Sequence, residues 1–126
     1  MSIEAFRASD LAPPVGPFSH AVRSGGLIFL SGQVGQDPAS GQLVAGGVEA
    51  EAEQIFHNLK AVLGAAGKSL QSVVRVGVFL TDMQDFAAVN AIYAKHFNPP
   101  FPARTTIVAA ALPLGAAIEI DVVAKG

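Results

Sequence analysis

The chain has 126 residues, below the roughly 150 typical of one domain, so two independent cores are excluded and residues 1–126 are expected to fold as a single unit. Apolar side chains make up 51% of it and charged ones only 14%, against about 25% charged in an ordinary soluble domain, which leaves too few polar groups to cover so small a protein. The longest greasy run, Val108 to Ile118, is broken by Pro113 and Gly115 and falls short of the about 20 apolar residues of a membrane span, so the apolar surplus is expected to be hidden against copies of the same chain, in the cytoplasm.

From the N-terminus, Glu4, Arg7 and Asp10 stand where a signal peptide needs an apolar core. Pro13, Pro14 and Pro17 keep the next segment extended. Ser19 to Arg23, Ser24-Gly25-Gly26 and Leu27 to Ser31 read as a hairpin, and Asp37 to Gly41 as a loop. Val48, Ala52, Ile55, Phe56, Leu59, Val62, Leu63 and Ala66 follow the 3-and-4 spacing of an amphipathic helix that Gly67 stops. Val73 to Leu80, apolar almost throughout, reads as a central strand buried on both faces. Asp82 caps a second helix with Met83, Phe86, Tyr93 and Phe97 on its apolar stripe, ended by Asn98-Pro99-Pro100. Two strands, Arg104 to Ala110 and Ala117 to Ala124, follow as an antiparallel pair. The order ββαβαββ points to an α+β fold, with both helices on one face of the sheet and the other face left for a closed homo-oligomer to cover.

Zero Cys removes disulfides, thiol nucleophiles and thiolate metal sites, and a net charge of −2 without a basic block argues against binding nucleic acid. His20, His57 and His96 share no ligand spacing, so no metal is expected, and the glycines match neither dinucleotide nor phosphate-loop spacing. The informative groups are charges at positions where the pattern predicts burial. In the last strand Ile118, Ile120 and Val122 face one way, and Ala117, Glu119, Asp121 and Val123 the other. A hairpin centred near Pro113 and Leu114 places Arg104 on the same face as Glu119. The pair then reads either as a cross-strand ion pair or as a carboxylate clamp with a general base. Ser31, in Ser31-Gly32-Gln33, forms a turn or lines a pocket. Asn90, on the buried stripe, ties down a loop or belongs to a site.

The segments Ala12-Pro13-Pro14-Val15-Gly16-Pro17-Phe18-Ser19-His20, Ser31-Gly32-Gln33, His57-Asn58-Leu59-Lys60, Thr81 through Asn90 to Tyr93, Pro102-Ala103-Arg104, and Leu112-Pro113 with Ile118-Glu119-Ile120 together resemble the RidA (YjgF) family of reactive imine deaminases, over nearly the whole chain. The resemblance implies a chorismate-mutase-like homotrimer, with sheets packed inward and clefts between subunits. It also implies hydrolysis of 2-imino acids to 2-oxo acids and ammonia, without metal or cofactor. By position, Arg104 would bind the substrate carboxylate, Glu119 would position or activate water, and Ser31, Asn90 and the segment around Phe18 would shape the cleft. Two departures bear on substrate range: Phe18 and His20 stand in a motif that usually reads Gly-Pro-Tyr-Ser-Gln, and Thr106 stands where cysteine or another small residue is common, beside the clamp. The alternative kept open is a trimeric carboxylate-binding or regulatory protein with little turnover.

Overall fold

The computed structural model describes residues 3–126. Six strands and two helices follow one another as β1 (Glu4–Phe6), β2 (Ala21–Ser24), β3 (Leu27–Val34), α1 (Gly47–Ala65), β4 (Val73–Leu80), α2 (Phe86–His96), β5 (Ala103–Val108) and β6 (Ile118–Lys125). The expected hairpin is β2 and β3, paired antiparallel through Gly25-Gly26, where Gly25 takes a φ of 61° that suits a residue without Cβ. β1 is a strand the periodicity did not announce: three residues are too short for an alternation signal, yet Glu4, Ala5 and Phe6 pair with Arg23, Val22 and Ala21.

α1 buries Ala52, Ile55, Phe56, Leu59, Val62 and Leu63, the expected stripe. Its end is a glycine cap: Gly67, at φ 74°, donates its N–H to the Gly64 carbonyl, and Lys68 donates to that of Leu63. Asp82 caps a short 3-10 turn, Met83–Asp85, that leads into α2. α2 buries Val89, Ile92 and Tyr93 and leaves Met83 and Phe86 partly exposed, so its buried stripe begins at Val89 rather than at Met83. Both helices lie on one face of the sheet, where Phe56, Ile28, Val76, Val78, Ile118 and Ile120 form a fully buried core.

The sheet order is β1-β2-β3-β6-β4-β5, which corrects the expectation of a terminal hairpin. β5 runs parallel to β4 with α2 as the crossover, and β6 inserts antiparallel between β3 and β4. The chain from Val108 to Ile118 is long enough to carry β6 past β4, and inserting there lets one apolar strand be paired on both edges. β4 is flanked on both sides as expected, but one of its faces is open: Val74 and Arg75 are exposed, and Phe79 is half-buried. That open face carries Phe29, Arg75, Phe79, Thr105, Ile107, Asp121 and Val123 around a shallow concavity. No helix among the described residues is long and apolar enough to cross a membrane.

Candidate functional site

Two clefts hold the candidate residues, and the sheet separates them. The first is a pocket of about 330 Å³ at the end of β3, lined by Leu11, Phe18, His20, Ser31, Leu114 and Glu119 among others. β3 bulges between Leu30 and Gln33, so Ser31 and Gly32 leave the ladder and turn towards this pocket. Gly32 leaves room for the carboxylate, since a Cβ there would sit 2.6 Å from Glu119 Oε2 and push that side chain aside. Ser31 Oγ donates to the Ser19 carbonyl at 2.7 Å, which fixes the hydroxyl and leaves its lone pairs turned to the cleft. Leu114, held at a left-handed φ of 61°, stands exposed at the mouth.

Glu119 shares the open face of β6 with Asp121, as the alternation predicts. Burial first, and the Asp121 charge second, push its carboxyl above the ordinary glutamate value. The salt bridges among the described residues join Arg23 to Glu4 and Glu53 to Lys95 and His96, so Glu119 has no cationic partner. A partly desolvated carboxylate with a raised pKa and no salt bridge is a proton acceptor in waiting.

Arg104 lies on the other face. It pairs with Val76, whose side chain is fully buried under the helices, whereas Glu119 pairs with Phe79 on the open face. Two strands and three residues separate the positions, about 14 Å between backbones, with the side chains pointing apart. The expected shared face is therefore corrected, and with it the cross-strand ion pair. The error came from assuming a hairpin, which fixes relative face only if the two strands are neighbours.

Around Arg104 the chain builds a cage. Its Nη2 donates to Asn90 Oδ1 at 2.7 Å, and its guanidinium lies 4.7 Å from the Tyr93 ring centroid and 5.5 Å from that of Phe86. Asn90 thus joins the candidate site rather than a loop. Tyr93 is buried with no hydrogen-bond partner for its hydroxyl among the described residues; burial raises its pKa against the opposing pull of the Arg104 cation. With one donor engaged by Asn90 and two aromatic rings beside it, the guanidinium still has N–H groups that could grip a carboxylate. This second cleft, lined by Asn90, Tyr93, Ala94, Phe101, Pro102 and Arg104, opens at the β5 edge. Thr106 lies two residues further on, on the Arg104 face, and lines neither cleft.

Two further polar residues line the first cleft: Asn58, and His20 in the segment around Phe18 expected to shape it. Asn58 is buried on α1, where it donates to the Gln36 carbonyl at 3.0 Å and accepts from Gln54. His20 is buried and bonded to backbone through both ring nitrogens. The signal was present for Asn58, a polar side chain directly beside Leu59 on the apolar stripe. His57 is exposed, and His96 contacts Glu53 at 2.7 Å, so the three histidines occupy separate places.

The sequence profile of the family described as Endoribonuclease L-PSP matches residues 9–125. A human protein named 2-iminobutanoate/2-iminopropanoate deaminase is 49% identical over 110 residues, 87% of this chain and 80% of that one. Protein DfrA of Myxococcus xanthus is 49% identical over 119 residues, covering 92% and 91%. Among solved structures, RidA from an Antarctic Psychrobacter superposes with a TM-score of 0.93 at 39% identity, over 98% of this chain and 99% of that one.

Proposed function

The chain belongs to the Endoribonuclease L-PSP (YjgF/RidA) family, and from that premise we propose that it hydrolyses 2-imino acids to 2-oxo acids and ammonia, in clefts shared between the subunits of a homotrimer. The single observation that carries this reading is the pair of unpartnered charges, a caged Arg104 and a Glu119 of raised basicity, set in different clefts on opposite faces. One chain cannot bring them together. A second copy seated on the open sheet face can place its β5 edge, with Arg104 and Asn90, beside the neighbour's pocket of Phe18, Ser31 and Glu119, and closing the ring gives three such sites. The same contact covers Phe29 and Ile107, which are 42% and 47% exposed in the single chain, and so accounts for the apolar surplus of the composition.

In that site the guanidinium grips the substrate carboxylate with two parallel hydrogen bonds, and the apolar wall around Phe18 receives the side chain. The protonated imine carbon is already electrophilic, so water needs orientation and removal of one proton. Glu119 accepts that proton as the water oxygen bonds to C2, giving a carbinolamine. The proton passes to its nitrogen, the C–N bond breaks with its electron pair leaving on ammonia, and the hydroxyl proton departs as the 2-oxo acid forms. Every step is acid–base chemistry, and no cofactor enters this scheme.

The test is to generate imine in situ with an amino-acid oxidase or a serine/threonine dehydratase and to follow its disappearance with and without the protein. Accelerated loss at catalytic concentrations supports the deaminase. Binding of a 2-oxo acid without acceleration supports instead the carboxylate-binding reading, in which the arginine clamp is kept and turnover is not. A phosphodiester substrate suits the site less well, because the first cleft presents an acidic side chain and apolar walls rather than a cationic cradle.

A further inference from the structure

We infer that His20 is the positioning residue that fixes the wall of the substrate pocket and thereby sets the size of side chain the pocket accepts. This rests on the reading of the Glu119 cleft as the place of reaction and adds to it a residue that never touches the substrate.

Between β1 and β2 the chain runs without regular structure and supplies one side of the cleft, with Leu11, Ala12, Pro13, Pro14, Val15 and Phe18 among its lining residues. Pro13, Pro14 and Pro17 have no N–H, so this arc can do little to tie itself down; between Ala12 and Ser19 its backbone is held by a single turn, Phe18 N–H to the Gly16 carbonyl at 2.8 Å. Its position therefore depends on its ends. At one end the His20 ring bridges two points of the approach, with Nδ1 accepting from the Ala8 N–H at 3.2 Å and Nε2 lying 3.1 Å from the Ala12 carbonyl oxygen. At the other, Ser31 holds the Ser19 carbonyl through its hydroxyl and the His20 carbonyl through its N–H.

The chemistry of the first tie allows one state of the ring. A backbone N–H can only donate, so Nδ1 carries no proton, and a carbonyl can only accept, so Nε2 carries one. The imidazole is a neutral donor–acceptor bridge, 4% exposed, buried beside Ala8 and Leu11 of the core. Cutting it would leave a buried N–H and a carbonyl without partners and let the proline arc swing away from Glu119 and Leu114. A wall in place only part of the time multiplies the apparent affinity by the fraction in place, while substrate that does bind reacts at the usual rate.

The experiment compares kcat and KM for 2-iminopropanoate and the leucine-derived imine in the wild type, His20→Gln and His20→Leu. The Gln amide offers one acceptor and one donor, as the neutral imidazole does, and is expected to stay within about 3-fold of the wild type. His20→Leu fills the space without either bond, so KM for the small imine should rise about 10-fold or more with kcat little changed, and the preference between the two imines should narrow. Unchanged KM and preference in folded His20→Leu, or a fall confined to kcat, overturns the proposal.

Two measurements stand apart from turnover. Long-range 15N–1H spectra of the wild type should show Nδ1 as the unprotonated nitrogen, and the Ala8 amide should be protected from hydrogen exchange in the wild type and His20→Gln but not in His20→Leu. A protonated Nδ1, or equal Ala8 protection in all three, overturns the proposal. If the wild type turns over neither imine, the deaminase reading fails, and the His20 bridge is then judged on 2-oxo acid affinity and Ala8 protection. If His20→Leu does not fold, His20→Asn takes its place, since its shorter amide cannot span from Ala8 to Ala12.

Discussion

Arg104 and Glu119 sit on opposite faces of one sheet, each without an ion-pair partner among the described residues. A charge held partly out of water with no counter-charge is expensive, and such an arrangement persists where a ligand or a neighbouring subunit completes it. The proposed trimer does so twice over, by joining the two clefts and by covering the apolar sheet face.

Assembly is the first expected outcome. Multi-angle light scattering at micromolar concentration should give about three times the 12.9 kDa of the chain. A monomer would leave Phe29, Val74 and Ile107 in water and would contradict the account of the composition.

The clamp gives a graded series. Arg104→Ala should lower kcat/KM for 2-imino acids by roughly 100-fold or more, since two charge-assisted hydrogen bonds are lost, and should abolish 2-oxo acid binding while the trimer stays intact. Arg104→Lys should recover little, because an ammonium cannot reproduce the planar fork. Asn90→Ala and Phe86→Leu remove one hydrogen bond and one ring face from the cage, and each should cost about 2- to 10-fold, mostly in KM. Steady-state kinetics on all four checks the order.

Much of this was legible in the sequence, and the part that was not has a physical reason. The 3-and-4 spacing located α1, and alternation in β6 put Ile118, Ile120 and Val122 under the helices with Glu119 and Asp121 opposite. Alternation reports which way a side chain points and nothing about which strand lies alongside. A connection such as Val108 to Ile118 serves equally for a hairpin or for insertion between β3 and β4, and that choice decided whether Arg104 and Glu119 share a face. The bridging role of His20 was not legible for a related reason: its partners, the Ala8 N–H and the Ala12 carbonyl, are backbone groups that every residue has.

Glu119 links activity to stability. As the general base, Glu119→Gln should lower kcat by about 100-fold or more. Its carboxyl binds a proton more tightly in the folded chain than in the unfolded one, so the stability it contributes is full at acid pH and is lost as pH rises through its folded value. Glu119→Gln escapes that loss. The variant should melt at a higher temperature than the wild type at pH 7, and the gap should close below about pH 4. For the wild type, the acid limb of kcat/KM should fall above the ordinary glutamate pKa.

Phe18, 48% exposed on the pocket wall, offers a ring face and no hydroxyl. Phe18→Tyr adds a donor able to reach the substrate carboxylate or the water, worth about 1.5–3 kcal/mol, or roughly 10- to 150-fold in efficiency. The gain should be larger for 2-iminopropanoate than for the leucine-derived imine. Equal gains, or a loss on the small substrate, would reduce Phe18 to packing.

The most direct test of a site shared between subunits is complementation between two inactive variants. Arg104→Ala and Glu119→Gln are co-expressed with different tags, doubly purified as mixed trimers, and assayed for imine hydrolysis. If each site takes Arg104 from one subunit and Glu119 from its neighbour, every mixed trimer restores both residues in one of its three sites, so the purified mixture should regain about a third of wild-type activity. Mixed trimers that stay as inactive as their parents would contradict the account.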